Sequence, residues 1–307
     1  MRHDNKNWFG FVALAFWLGG VFVLAACGDS EREPIEARSN PAPEVSIPAL
    51  ALTFGLYTSD SATEMVKQFA PILEVLDADL SELLGEPVRT SLRVASTYEG
   101  GVDDLVSGRV DFARMGPASY VMAKELNQGI RIIAIESKRG SKIFQGVLCV
   151  HLDSPIQNVE DLSGERFAFG DSRSTIGRFL AQQLLVEHGI RADDLAGFDF
   201  LGRHDKVGMA VARKKYAAGA LKESTFKKLV AAGEPIRAIA SFPNVTKPWI
   251  ARAGMNPEVI AAIRDALLGM DDASALKALK KDGFMIGVDA DYDPIREAIQ
   301  SSRLFDS

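Results

Sequence analysis

The chain has 307 residues, with 35 Lys and Arg against 41 Asp and Glu, and a formal net charge of −6. Its 47% apolar and 25% charged residues are ordinary for a folded domain, and they exclude a disordered tail, a collagen-like fibre and a multi-pass membrane protein. The acidic balance argues against a nucleic-acid partner, and the length suits one large domain or two lobes.

Arg2 and Lys6 precede an uncharged apolar run from Trp8 to Ala26, which ends in Leu24-Ala25-Ala26-Cys27. Small residues before a cut site mark a secretory signal peptide. A Cys directly after Leu-Ala-Ala resembles the lipobox of bacterial lipoproteins, which implies cleavage after residue 26 and lipidation of Cys27. Residues 1–26 are therefore expected to be a lipoprotein signal peptide. The rest is expected outside the cytoplasmic membrane, periplasmic or on its extracytoplasmic face, and lipid-anchored to the membrane. Cleavage would leave 33 basic and 40 acidic residues. With Cys27 lipidated, Cys149 has no partner for an intrachain disulfide, and its apolar run Gly146–Val150 reads as the site of a buried, inert thiol. Residues 27–48 are polar, carry Pro34, Pro41, Pro43 and Pro48, and read as a flexible tether.

Past the tether, short apolar runs alternate with amphipathic segments, the pattern of α/β units, with parallel sheet the expected arrangement. Strands are expected at Leu52–Leu56, Val88–Val94, Asp111–Arg114, Ile130–Ile135, Gly146–His151, Arg166–Phe169, Phe198–Leu201 and Ile236–Ile239. Helical periodicity falls at Ser61–Leu84, Tyr98–Ser107, Ala118–Leu126, Thr175–His188, Asp205–Lys214, Glu258–Leu268, Ala273–Lys281 and Pro294–Ser301. Ser61 and Glu64 stand at capping-box spacing before the first helix, and Pro71 is expected to restart it.

Catalytic motifs are missing from this sequence. It has 4 histidines, no nucleophile elbow, no Walker loop, no Gly-x-Gly-x-x-Gly after a strand and no paired His or Cys at metal-ligand spacing. Neither a cofactor nor a metal is called for, and the chain is not expected to be an enzyme. Three turns read instead as parts of a ligand site. Phe167–Gly177 is a strand running through a Gly- and Ser-rich turn into a helix start, where the hydroxyls of Ser174 and Thr175 join unpaired backbone N–H groups in an anion cradle; plain helix capping would explain the same residues. Gly202-Arg203-His204-Asp205 offers His204 as a donor and Asp205 as a helix cap, or simply a solvated turn. After the strand ending at Val94, Tyr98 supplies a hydroxyl at a sheet edge, or else a core ring.

The order of these elements carries a resemblance. Tyr98-x-Gly100, then Asp111–Tyr120, then Asp161–Asp171 with Ser174-Thr175-x-Gly177, then His204-Asp205 resembles the phosphonate, phosphite and phosphate-binding proteins of ABC importers, from about Ala51 to the C-terminus. The resemblance implies an α/β, bilobal periplasmic-binding-protein type II (Venus flytrap) fold with two hinge crossovers, near Ile143–Val147 and Ser241–Ile250. Lobe one would be 49–143 plus 249–307, and lobe two 144–248. It also implies a ligand oxyanion held between the lobes by Tyr98, Ser174, Thr175, the Gly177 turn and His204-Asp205. Three positions differ from the family pattern. Phe144 stands where relatives commonly carry a second ligand tyrosine, and Ile176 where another Ser or Thr is usual. Ala217 replaces an acid before Ala-Gly-Ala that accepts a ligand proton or pairs with a ligand amino group. Arg114 would add positive charge to the cleft or reach out to solvent.

The expected function is thus capture of a small oxyanion (phosphonate, phosphite or phosphate) for an ABC transporter permease, by a monomer, with an affinity that weakens above the pKa of a protonated His204. The alternatives are a ligand-sensing flytrap module that signals to a membrane partner, and a secreted hydrolase using Ser174 and His204.

Overall fold

Strands and helices alternate along the chain because runs such as Leu52–Leu56 and Phe167–Phe169 are apolar throughout, whereas the segments between them repeat apolar residues at helical spacing. The computed structural model describes residues 50–57 and 62–307; the apolar leader, Cys27, the tether and Ser61 of the expected capping pair lie outside the described residues. The first stretch runs β1 (Leu50–Tyr57), α1 (Ala62–Leu84), β2 (Val88–Ala95), α2 (Tyr98–Val106), β3 (Phe112–Arg114), α3 (Pro117–Leu126) and β4 (Arg131–Ser137). The second runs β5 (Ile143–His151), β6 (Arg166–Phe169), a π-helical turn at Thr175–Phe179 leading into α4 (Leu180–Glu187), β7 (Gly197–Phe200), α5 (His204–Ala212), β8 (Ala218–Lys222), α6 (Glu223–Ala231) and β9 (Ile236–Val245). The chain then returns through β10 (Pro248–Ala251), α7 (Pro257–Gly269), α8 (Ala273–Leu279), β11 (Gly283–Met285) and α9 (Asp293–Phe305).

Two sheets result, ordered β11-β4-β10-β3-β1-β2 and β7-β6-β8-β5-β9. The chain passes from the first to the second between Ser137 and Ile143, and returns between Val245 and Pro248. The first passage lies just before the expected crossover at Ile143–Val147, and the second falls within Ser241–Ile250.

Parallel sheets were expected, and the structure corrects this. β1 lies parallel to β2 and β3, and β6 parallel to β7 and β8, but β10 and β11 run antiparallel in the first sheet and β5 antiparallel to β8 and β9 in the second. The antiparallel strands are largely those beside the two passages, where the chain enters a sheet with its direction reversed. Pro71 does not restart the first helix; α1 continues through it. Its stripe of Met65, Phe69, Ile72, Leu76 and Leu80 is buried, and that burial outweighs one missing backbone hydrogen bond.

Trp249 on β10 anchors the first sheet. It is wholly buried, stacks on Phe54 at 4.5 Å between ring centroids, and meets Phe284 edge-on at 5.4 Å. By register it lies opposite Arg114, so the packing of this indole sets where the end of β3 sits. The C-terminal helix α9 packs on both α3 and α4, and its Phe305 meets Phe169 and Phe198 of the second sheet at 5.5 and 5.4 Å.

Trp249→Ala should cost about 3–5 kcal/mol of stability, the usual range for emptying a large aromatic site. Urea unfolding measures it, and a loss below about 1 kcal/mol would show that the ring is not the anchor.

Candidate functional site

The direction of the strands decides which residues share an edge. β1, β2 and β3 are parallel, so Tyr57, the segment after Ala95 and the segment after Arg114 emerge together. β10 runs the other way, so its start lies at that same edge: Met115 N–H donates to the Pro248 carbonyl at 3.2 Å, and Glu136 N–H to the Lys247 carbonyl at 3.1 Å. Across the edge the order is therefore Glu136, Lys247, Gly116, Tyr57 and Tyr98.

One end of this row is a set of hydroxyls. The Tyr57 and Tyr98 rings stack at 4.1 Å. Tyr57 Oη accepts the Gly116 N–H at 2.5 Å and shares a hydrogen bond with Ser119 Oγ at 3.1 Å. From the second sheet, Ser174 caps the π-helical turn by accepting the Gly177 N–H at 3.0 Å, and its side chain is hydrogen-bonded to Tyr98. Thr175 Oγ1 accepts the Ala118 N–H, at the start of α3, at 2.9 Å. Tyr57, Ser119, Ser174 and Thr175 are all buried. Burial pushes both phenols above their ordinary range, so they stay protonated and able to donate. Gly177 has a backbone role: Gly170 N–H donates to its carbonyl at 2.8 Å, and a Cβ at Gly177 would lie 2.8 Å from Gly170 Cα. The turn can fold back over the end of β6 only because both residues are glycine. Asp171, in the same turn, is the carboxylate felt by both phenols, and it accepts the Arg173 N–H at 2.8 Å.

The other end of the row is cationic. Arg114 neither ends in solvent nor points freely into the cleft: it is buried, binds Glu136 through two hydrogen bonds of 2.6 and 3.1 Å, and lies 5.2 Å from the Phe69 ring centre. Lys281 adds a second contact to Glu136 at 3.2 Å. Burial alone would raise the Glu136 carboxyl, but the charges of Arg114 and Lys281 outweigh it and hold it at about 2. Lys247 is lowered well below the ordinary lysine range by burial and by its neighbours Arg114 and Lys222. Phe144 receives Lys222 at 5.6 Å and Lys281 at 5.8 Å over its ring, so the position that lacks a tyrosine hydroxyl carries a cation–π platform.

His204 belongs to the cationic end. Burial, then Lys222 and Lys247, push its imidazole down to about 3. The protonated donor expected from the sequence is therefore corrected to a neutral ring, whose Nδ1 is buried with no hydrogen-bond partner among the described residues. Asp205 does not cap α5, because that helix already starts at His204 with Arg203 as its cap residue; the carboxylate turns back to grip Arg203. Among the described residues no hydrogen bond joins Ser174 to His204.

Ala217 also moves. Its N–H donates to the Arg166 carbonyl at 2.9 Å, at the start of β6, whereas Ser174 follows the end of that strand. It lines a cavity of about 420 Å³ with His151, Arg166 and Tyr216, on the edge of the second sheet away from the hydroxyls. The residue at the cleft end of β8 is Lys222, so the identity of residue 217 does not bear on a ligand beside Ser174. Sequence reasoning missed Tyr57, Ser119, Glu136, Lys222, Lys247 and Lys281. Ser119 lies in the Asp111–Tyr120 block already singled out, and Tyr57 at the end of an expected strand; the remaining four had no distinguishing spacing.

Comparison with known proteins fits this arrangement. Residues 54–292 match the family model described as the periplasmic substrate-binding protein of phosphonate ABC transporters. The phosphate-import protein PhnD of Mycolicibacterium smegmatis is 23% identical over 308 residues, covering 90% of this chain and 91% of that protein. XAC2383 of Xanthomonas citri, solved with chloride bound, superposes with a TM-score of 0.71 at 21% identity, covering 83% of this chain and 98% of that one. PhnD1 of Prochlorococcus marinus, solved with methylphosphonate, gives a TM-score of 0.69 at 19% identity over 82% and 98% of the two chains. The fold is that of type II periplasmic binding proteins, and the chain belongs to the phosphonate-binding family of ABC-transporter substrate-binding proteins.

Proposed function

We propose that this protein captures a small phosphorus oxyanion between lobes of residues 49–143 plus 249–307 and 144–248, and delivers it to an ABC permease as an exported, lipid-anchored monomer. The observation that carries the reading is the meeting of two pairs of buried or half-buried hydroxyls at the facing edges of two sheets: Tyr57 with Ser119, and Tyr98 with Ser174, beside Thr175 and the start of α3. A hydroxyl that accepts a backbone N–H keeps its own proton to donate, so an anion entering here would gain donors from both sides of the cleft. Hydrogen bonds to a charged group contribute roughly 1.5–3 kcal/mol each, and three or four of them suffice for micromolar binding. Three contacts already join the halves at this place, as in a closed cleft: Tyr98 with Ser174, Thr175 with the Ala118 N–H at 2.9 Å, and Arg173 with Glu99 at 2.8 Å. The family relationship supports transport rather than catalysis, and the PhnD1 complex shows that this fold holds a phosphonate in a relative.

Thermal unfolding of the full chain with phosphate, phosphite, methylphosphonate, aminoethylphosphonate, sulfate and carboxylates tests the reading. A phosphorus oxyanion at about 100 times its dissociation constant should stabilise by roughly 2.7 kcal/mol, a shift of several degrees. The double variant Ser174→Ala with Thr175→Ala should lose that shift while unfolding cooperatively; an undiminished shift would remove these hydroxyls from the site. His204 should keep the NMR signature of a neutral imidazole from pH 8 down to pH 5, and its folded-state depression means that stability falls as pH drops from about 6.5, the unfolded-state value, towards 3. A His204 titration centred near 6.5 would contradict the buried setting described here.

A further inference from the structure

The Met115 N–H bond to the Pro248 carbonyl carries the β3–β10 pairing one residue further, so Lys247, the next residue, falls beside Gly116, whose N–H is held by Tyr57. The hydroxyl cradle and the cationic cluster are therefore neighbours on one edge. Arg114, Lys281 and Lys247 gather there around one carboxylate, Glu136, which Arg114 and Lys281 already occupy. Among the described residues no carboxylate lies within ion-pair distance of Lys247. From the second sheet, Phe144 brings Lys222 and Lys281 to the same place, and the buried Nδ1 of His204 has no hydrogen-bond partner among the described residues. Half-buried lysines crowded by like charge beside an unfilled polar atom are held at a cost, and a bound anion would offset it.

We propose that the ligand carries two anionic heads on a short linker: a phosphorus oxyanion in the cradle of Tyr57, Tyr98, Ser174 and Thr175, and a second anionic group beside Lys247 and His204. This rests on the phosphorus-oxyanion reading above and names the ligand class within it. Lys247 and Lys222 select the second head, and His204, neutral, donates or accepts one hydrogen bond to it. A ligand bearing an ammonium group is disfavoured at this end because it would meet like charge. The second head is either a carboxylate or another phosphoryl group, since Lys and Arg accept both.

Calorimetric titration of the full chain decides the matter, with methylphosphonate as the one-headed probe, phosphonoacetate and 3-phosphonopropionate as phosphonocarboxylates, methylenediphosphonate as the doubly phosphorylated probe, and aminoethylphosphonate as the zwitterion. At least one two-headed anion should bind 10-fold or more tighter than methylphosphonate, and whether it is a carboxylate or the diphosphonate identifies the second head. In Lys247→Met that ratio should fall towards one; if this variant fails to fold, Lys222→Met reads the same ratio. Methylphosphonate binding as tightly as every two-headed anion would overturn the proposal and leave the proposed function standing. Aminoethylphosphonate binding tightest would also overturn it, and would direct attention to Asp171. Failure of every phosphorus compound to bind would overturn the proposed function and this inference with it.

Discussion

Glu136 is the constraint on which the cleft depends. A carboxylate wholly removed from water survives as an anion only with cations and hydrogen bonds around it, and here Arg114 on β3 and Lys281 beyond α8 supply them. Its own N–H is bound to the Lys247 carbonyl. One residue thereby fixes the end of β3, the segment after α8 and the return passage relative to one another. Gly116, Tyr57 and the start of α3 follow directly from where β3 ends, so the hydroxyl cradle inherits its position from this ion pair. Trp249, opposite Arg114 in register, supports the same point from the apolar side.

The cradle is satisfied by its own groups. Thr175 and Ser174 accept backbone N–H bonds, and the tyrosine hydroxyls are occupied by Gly116, Ser119 and Ser174. An oxyanion bound as proposed would not have to order these side chains from a disordered state; it would replace one set of partners by another, which lowers the entropic cost of binding. Packing holds the same groups in register, because Gly170 and Gly177 touch backbone to backbone and leave the turn no room to relax.

Much of this was legible in the sequence, and the limits have physical causes. The strands read from β-branched and aromatic runs lie within a few residues of their observed bounds except Ile236–Ile239, which continues to Val245 as β9, and Arg166–Phe169 coincides with β6. β8 escaped notice because Ala218-Gly219-Ala220 has no β-branched residue, and β10 because Pro248 and Trp249 read as part of a connection. The Ser174–Gly177 turn was visible, since a Gly- and Ser-rich break between a strand and an amphipathic helix has few other uses. Tyr57 was not, because a tyrosine at a strand end is commonplace until another ring is known to lie on it. Ala217 was misplaced for a different reason: strand direction decides which end of β8 faces the cleft, and no single strand records its direction in composition. The same blindness hid Lys247, whose importance comes from its neighbours across three strands.

The C-terminal helix α9 has a mechanical consequence. Tyr292, just before it, donates its hydroxyl to the Thr246 carbonyl in the return passage at 3.1 Å, while Phe305 at its far end sits among the aromatic rings of the second sheet. A rod pinned at the pivot and again on one arm behaves as a strut: any swing of the two sheets about the passages must shear the Phe305 cluster or bend the helix. The amplitude of any such opening would thus be limited from behind, on the face away from the hydroxyl cradle, and the last turn of the chain would be a place to tune its stiffness without touching the cleft.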